Sequence, residues 1–204
     1  MFITFEGIEG CGKTTQSKLL CEALIDRGFP VVYTREPGGT PAAEELRSFL
    51  LKPRDEKFPP FAELSVYEAA RAFHVENLIR PSLQEGAVVI CDRFIDSTVA
   101  YQGYGRGLDI SLIDRLNREA TGGLKPDLTV LIDLPVEEAF RRISDRRKDR
   151  MESEALEFHR RVREGFLKLS KREPERFLVL DGTKSVEELH RRILSEVLRR
   201  MGAL

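Results

Sequence analysis

Gly7-Ile8-Glu9-Gly10-Cys11-Gly12-Lys13-Thr14 decides how the rest of the chain is read. Its spacing is that of the phosphate-binding P-loop, G-x-x-x-x-G-K-[ST]. Phe2-Ile3-Thr4-Phe5 before it is apolar and β-prone, and reads as a buried strand. From Thr15 to Arg27, apolar residues recur at Leu19, Leu20, Ala23 and Leu24, which is helical spacing. A strand, a glycine loop and a helix in that order aim backbone N–H groups and a helix N-terminus at one anion. Lys13 can then reach β- and γ-phosphates, and the Thr14 hydroxyl can face Mg²⁺. The expected ligand is ATP with Mg²⁺, cradled by Gly7, Ile8, Glu9, Gly10, Cys11, Gly12, Lys13, Thr14 and Thr15.

Further strands follow. Val31-Val32-Tyr33-Thr34 ends in the turn Arg35-Glu36-Pro37-Gly38-Gly39. Thr40 then reads as an N-cap with Pro41 in the first turn of a helix running to about Leu51. Phe61 to Leu83 reads as one long helix kinked at Pro81. Ala87–Cys91, Leu128–Ile132 and Phe177–Leu180 are strands ending at Asp92-Arg93, Asp133 and Asp181-Gly182. The strands are continuous apolar runs, so both faces should be buried. The prediction is a single α/β domain over 1–204, with a five-stranded parallel sheet and helices on both faces. Its site should lie along the carboxyl edge of the sheet.

Composition narrows the class. The chain has 204 residues, 41% hydrophobic and 33% charged, with a formal net charge of −1. That balance gives no basic field for nucleic acid, and the longest apolar runs are too short to span a bilayer. No basic segment followed by an apolar one opens the chain, so a secretory signal is not expected. Cys11, Cys21 and Cys91 form neither a disulfide framework nor a zinc spacing, and a cytoplasmic location is expected. The histidines, His74, His159 and His190, are scattered.

Ser144 to Arg150 contains no apolar residue and carries Arg146, Arg147, Lys148 and Arg150 against Asp145 and Asp149. It lies between helical patterns at Val136–Ile143 and Leu156–Leu169. Such a stretch cannot bury itself. Beside a P-loop, it reads as a mobile basic lid over ATP phosphates at about 141–152, with Arg146 and Arg150 as its candidate catalytic cations.

Three separate runs carry a resemblance: Phe5 to Thr15, Thr34 to Thr40, and Asp92-Arg93-Phe94 with Ser97 to Gly103. With Lys125-Pro126-Asp127-Leu128-Thr129, they make the chain resemble thymidylate kinases, P-loop nucleoside monophosphate kinases, over nearly its whole length. The resemblance implies transfer of a phosphoryl group from ATP-Mg²⁺ to dTMP, giving dTDP, by a homodimeric enzyme. It implies that Arg35 and Arg93 hold the dTMP phosphate, as guanidinium forks can. Tyr67 would stack on thymine, with Arg71 one turn later on its O4, Thr98 on N3 beside Ser97, and Gln102 nearby. Tyr101 would pack against the sugar, and Glu9 would read the 3′-hydroxyl. Asp92 would support Mg²⁺ with Thr14; Asp133 is a rival by sequence form alone. Thr183 and Lys184 would approach adenine. Some members carry a catalytic arginine where this chain has Gly10, so its basic lid resembles the bacterial type. Two rivals remain open at this point: a deoxynucleoside kinase using Glu36 as general base, and a nucleotide-switch NTPase.

Overall fold

The computed structural model describes residues 1–53, 55–144 and 150–203. Among them are five strands, β1 (Phe2–Glu6), β2 (Val31–Arg35), β3 (Val88–Asp92), β4 (Leu128–Asp133) and β5 (Phe177–Asp181). They form one parallel sheet in the order β2-β3-β1-β4-β5. The inner strands β1 and β3 are buried throughout, whereas the edge strands β2 and β5 are partly open. Successive side chains on a strand face opposite ways, which separates the core into two layers. Ile3, Phe5 and Ile90 join Leu20 and Leu24 of α1 (Lys13–Ile25). Phe2, Val89 and Cys91 meet Val75 and Ile79 on the other side.

Register sets the position of the site. Phe5 pairs with Asp92, and Asp92 with Arg35, so β1, β2 and β3 end level with one another. The P-loop, Glu36 and Arg93 therefore leave the sheet at one edge. Thr40 caps α2 (Pro41–Leu51) as expected, accepting the Ala43 N–H at 3.4 Å.

The long helix differs from the sequence reading. It is α3 (Pro60–His74), a π-helical turn at Val75–Ile79, and α4 (Arg80–Gln84). The disturbance lies upstream of Pro81, because a proline ring crowds the carbonyl four residues before it and a wider turn relieves that contact. Thr15–Arg27 also starts earlier than expected, at Lys13, inside the glycine loop. Asp92 is followed by α5 (Ile95–Thr98), which widens into a second π-helical stretch at Val99–Gly105. Then come α6 (Ile110–Thr121), α7 (Val136–Arg142), α8 (Leu156–Arg172) and α9 (Val186–Arg200).

Candidate active site

The helix following the glycine loop has no side-chain cap. Gly12 precedes it with φ 98°, and the first-turn N–H groups have no side chain to serve them. Unserved donors at a helix start favour an anion. Gly10 must be glycine for a second reason: a Cβ there would lie 2.3 Å from the Ala139 carbonyl oxygen of α7. Lys13 is largely buried, its Nζ donating to the Ile8 carbonyl at 3.3 Å. Cys11 is packed inside the loop, and burial pushes its thiol pKa up, which suits a structural residue.

The Thr14 hydroxyl donates to Asp92 Oδ2 at 2.5 Å, while Asp92 Oδ1 is buried without a partner. A hydroxyl beside an unspent carboxylate oxygen suits a hard cation that also takes phosphate oxygens. No cluster of three or more His, Cys, Asp or Glu among the described residues could hold a metal by itself. Thr14 and Asp92 thus fit a cation whose coordination is shared with a phosphate. Asp133, the rival, is spent on Arg163, which donates to its two oxygens at 2.6 and 2.9 Å.

Arg93 joins the loop to the helix beyond β3. Its φ is 74°, a strained conformation for a residue with a side chain. Its backbone N–H donates to Phe5 O at 3.0 Å. The guanidinium donates to Gly7 O, Ser97 Oγ, Glu9 Oε1 and the Tyr101 hydroxyl at 2.8–3.1 Å. Tyr101 in turn donates to Glu9. Burial pushes the Glu9 carboxyl up, but Arg93, Lys13 and the Tyr101 hydroxyl outweigh it and hold it below the usual range. Glu9, Arg93 and Tyr101 are therefore one charged unit.

Two clefts meet at this unit. The smaller, about 560 Å³, is lined by Tyr67, Arg71, Ser97, Thr98, Tyr101, Gln102 and Met151 among others. The larger, about 1790 Å³, runs over Gly10 to Lys18 and is lined by Arg35, Asp92, Arg142, Glu152, Gly182 and Lys184. Glu9, Glu36, Arg47 and Arg93 line both.

In the smaller cleft, Tyr67 and Arg71 share a wall, as their i, i+4 spacing implies. Arg71 is only 2% exposed. Its Nε donates to Glu36 Oε2 at 2.8 Å, and its Nη1 to Glu68 and Asn117 at 2.9 and 2.6 Å. The remaining nitrogen, Nη2, makes none of these contacts. Glu36 also takes His74 Nδ1 on its other oxygen at 3.0 Å. Both oxygens of Glu36 are committed, so the structure does not offer it as a free base. Ser97 is similarly engaged, donating to Glu6 Oε2 at 2.6 Å and accepting from Arg93.

Some expected residues stand elsewhere. Arg35 lines only the larger cleft and pairs with Glu44 at 3.0 Å. Lys184 faces that cleft, whereas the Thr183 hydroxyl turns back to Asp181 Oδ1 at 2.7 Å. Arg150, expected over the phosphates, lines neither cleft. It donates instead to Glu63 Oε2 at 2.6 Å and to Leu50 O at 2.9 Å. Arg146 and most of the basic segment, 145–149, lie outside the described residues. The sequence reading missed Arg47, Glu6 and Glu63; Arg142 and Met151 fell within the basic lid span 141–152 but were given no role of their own. It also passed over His74 and His159 as scattered, although both are buried beside site carboxylates. His74 contacts Glu36; His159 Nδ1 lies 3.8 Å from Glu9 Oε2. Among the missed residues, Arg47 had a signal, a cation on the helix that the Arg35–Thr40 turn initiates.

The thymidylate kinase family model matches residues 5–193. The thymidylate kinase of Geotalea uraniireducens is 52% identical over 207 residues, covering 98% of this chain and 97% of its own. That of Sulfurihydrogenibium sp. is 51% identical over 199 residues, covering 98% and 97%. A crystal structure of thymidylate kinase from Ehrlichia chaffeensis superposes with a TM-score of 0.79. It shares 41% identity and covers 97% of this chain and 98% of its own.

Proposed function

The chain belongs to the thymidylate kinase family, and from that premise we propose how its residues divide the work. It is a nucleoside monophosphate kinase that phosphorylates dTMP to dTDP, with ATP as donor. In the proposed arrangement, dTMP takes the smaller cleft and ATP the larger. One observation carries this: Arg93 lines both clefts and sits where they join. An acceptor phosphate and a γ-phosphate would meet there.

The acceptor oxygen is already anionic, so no base is required. The work is to hold two polyanions in line and to stabilise the spreading charge. The uncapped first turn of α1 and Lys13 bind the donor phosphates. Arg93 orients the acceptor phosphate, with Arg35 and Arg47 beside the junction. Arg142, the last residue of α7, faces the donor side; Arg146 is proposed for the same charge. Tyr67 stacks on the base, Arg71 reads O4 through Nη2, and Thr98 and Gln102 complete the edge. Tyr101, fixed by Glu9 and Arg93, packs against the deoxyribose. Thr14 and Asp92 would hold Mg²⁺, which when bound supplies charge neutralisation on the phosphates.

The same reading includes a cytoplasmic location and a homodimer. Exposed Phe49, Phe61 and Phe73 on the packed pair α2 and α3 support the latter. No helix among the described residues is long and apolar enough to cross a membrane.

A substrate panel tests the assignment of the clefts. With ATP and Mg²⁺, dTMP should react, dCMP poorly, and thymidine not at all. Cytosine presents a donor to Arg71, which has only donors. Arg71→Lys should raise KM for dTMP and narrow the dTMP-to-dCMP ratio of kcat/KM. An unchanged ratio removes Arg71 from the base site, and turnover of thymidine to rival dTMP sinks the acceptor assignment.

A further inference from the structure

Glu63 lies one helical turn before Tyr67 and two before Arg71, on the stripe of α3 that faces the smaller cleft. It is 0% exposed. A carboxylate so buried is tolerated only when paired and fully hydrogen-bonded. Glu63 is. Oε1 accepts from Gln102 Nε2 at 2.8 Å and Arg106 Nε at 3.1 Å. Oε2 accepts from Arg106 Nη2 at 3.1 Å and Arg150 Nη1 at 2.6 Å. Burial pushes the carboxyl up, but Arg106, Gln102 and Arg150 outweigh it and hold it below the usual range.

The two arginines extend the cluster. Arg106 Nη1 also pairs with Glu154 at 2.6 Å, and its guanidinium lies over Phe158. Arg150 donates to Leu50 O and lies over Phe58. Two guanidiniums and two carboxylates balance in charge, with Arg150 Nη2 left buried and without a partner. It joins α3, the Val99–Gly105 turn, the end of α2 and residues 150–154. Met151, the next residue after Arg150, is buried and lines the smaller cleft; Glu152 lines the larger.

We propose that Glu63 is a positioning residue that anchors Arg150 and Arg106, thereby fixing Met151 as a wall of the monophosphate cleft and Gln102 in its orientation. On this inference, Arg150 holds the cleft together and does not act on the transferred phosphoryl group. The inference rests on the placement of dTMP in that cleft.

The test is steady-state kinetics of Glu63→Gln, Arg150→Gln, their double variant and Arg150→Lys, with both substrates varied. KM for dTMP should rise about tenfold or more in each glutamine variant, the scale of a lost contacting charge pair. kcat at saturating dTMP should fall less than about threefold, and KM for ATP should stay constant. The double variant should be no worse than the poorer single one, because both break one cluster. Arg150→Lys, which keeps the charge, should recover much of the affinity. A kcat loss of about a hundredfold with unchanged KM for dTMP would place Arg150 on the phosphates and overturn the proposal. Additive effects, or a rise in KM for ATP instead, would also overturn it. If Glu63→Gln does not fold, Arg150→Gln carries the same split, since that side chain is 15% exposed and its loss leaves Arg106 on Glu63. A wild-type enzyme inactive on dTMP would refute the substrate placement; an active one with unaffected variants refutes only the anchor.

Discussion

Arg93 shows how much one residue can be asked to do. Its strained backbone turns the chain out of β3, and its guanidinium ties Gly7, Glu9, Ser97 and Tyr101 together. Lys13 has the opposite character, with one long hydrogen bond to the loop itself. Such a cation is released to a phosphate at little cost. Lys13→Ala should therefore lower kcat by the equivalent of ~3 kcal/mol or more while leaving the fold intact. Near-normal kcat, measured beside an unchanged circular dichroism spectrum, would remove Lys13 from the reaction. At this scale the P-loop and Arg93 were legible, because short motifs dictate them. Arg150 was not. Its charge was visible in the sequence, but its partner Glu63 is 87 residues away, and only packing brings the two together.

At the scale of elements, β1 and the helical stretch 95–105 are joined through Glu6. Its Oε1 accepts the Phe94 and Ser97 N–H groups at 2.8 and 3.3 Å, and its Oε2 the Ser97 hydroxyl. Burial, then the nearby Asp96, push the Glu6 carboxyl up to about 8, against the pull of Arg93 and these hydrogen bonds. The ordinary value is 4.5. Between those two values the folded chain keeps a proton that the unfolded chain releases. The resulting stability is full below pH 4.5 and is lost as pH rises through 8. Glu6→Gln should remove this component, so the difference in Tm between wild type and variant should change steadily from pH 5 to 9. Parallel Tm curves would show that Glu6 does not titrate in that window. The strands and α2 were legible from apolar runs and a capping threonine. Two helices were passed over although their signals were present. Helix α9 has Ser185 accepting from Glu188 N–H and buries Leu189, Ile193 and Val197. Helix α6 begins at the Asp109 cap and ends at Gly122 with φ 56°. Of the two π-helical turns, the one at Val75–Ile79 is marked by Pro81, whereas that at Val99–Gly105 has no comparable sequence mark.

The whole molecule places two clefts on one sheet edge, so each substrate should stabilise it separately. A ligand at a hundred times its Kd adds about 2.7 kcal/mol, or roughly 5–10 °C in Tm for a chain of this size. Both dTMP and ATP should raise Tm, and chelating Mg²⁺ should shrink the ATP shift while sparing that of dTMP. Asp92→Asn should mimic the chelator. An ATP shift indifferent to both treatments would leave Thr14 and Asp92 without a metal role. The edge itself was legible, because charged residues close each strand. The division into two clefts was not, since it depends on Arg47 of α2, Arg142 of α7 and Met151 of the turn before α8 arriving together.

The contact between Gly10 and the Ala139 carbonyl couples two elements sterically. A chain holding α7 this close to the loop has no room for a side chain at position 10. A larger residue at position 10 fits only if α7 retreats, so the loop and the helix are locked to one another, and any side chain added to the one is felt as a displacement of the other.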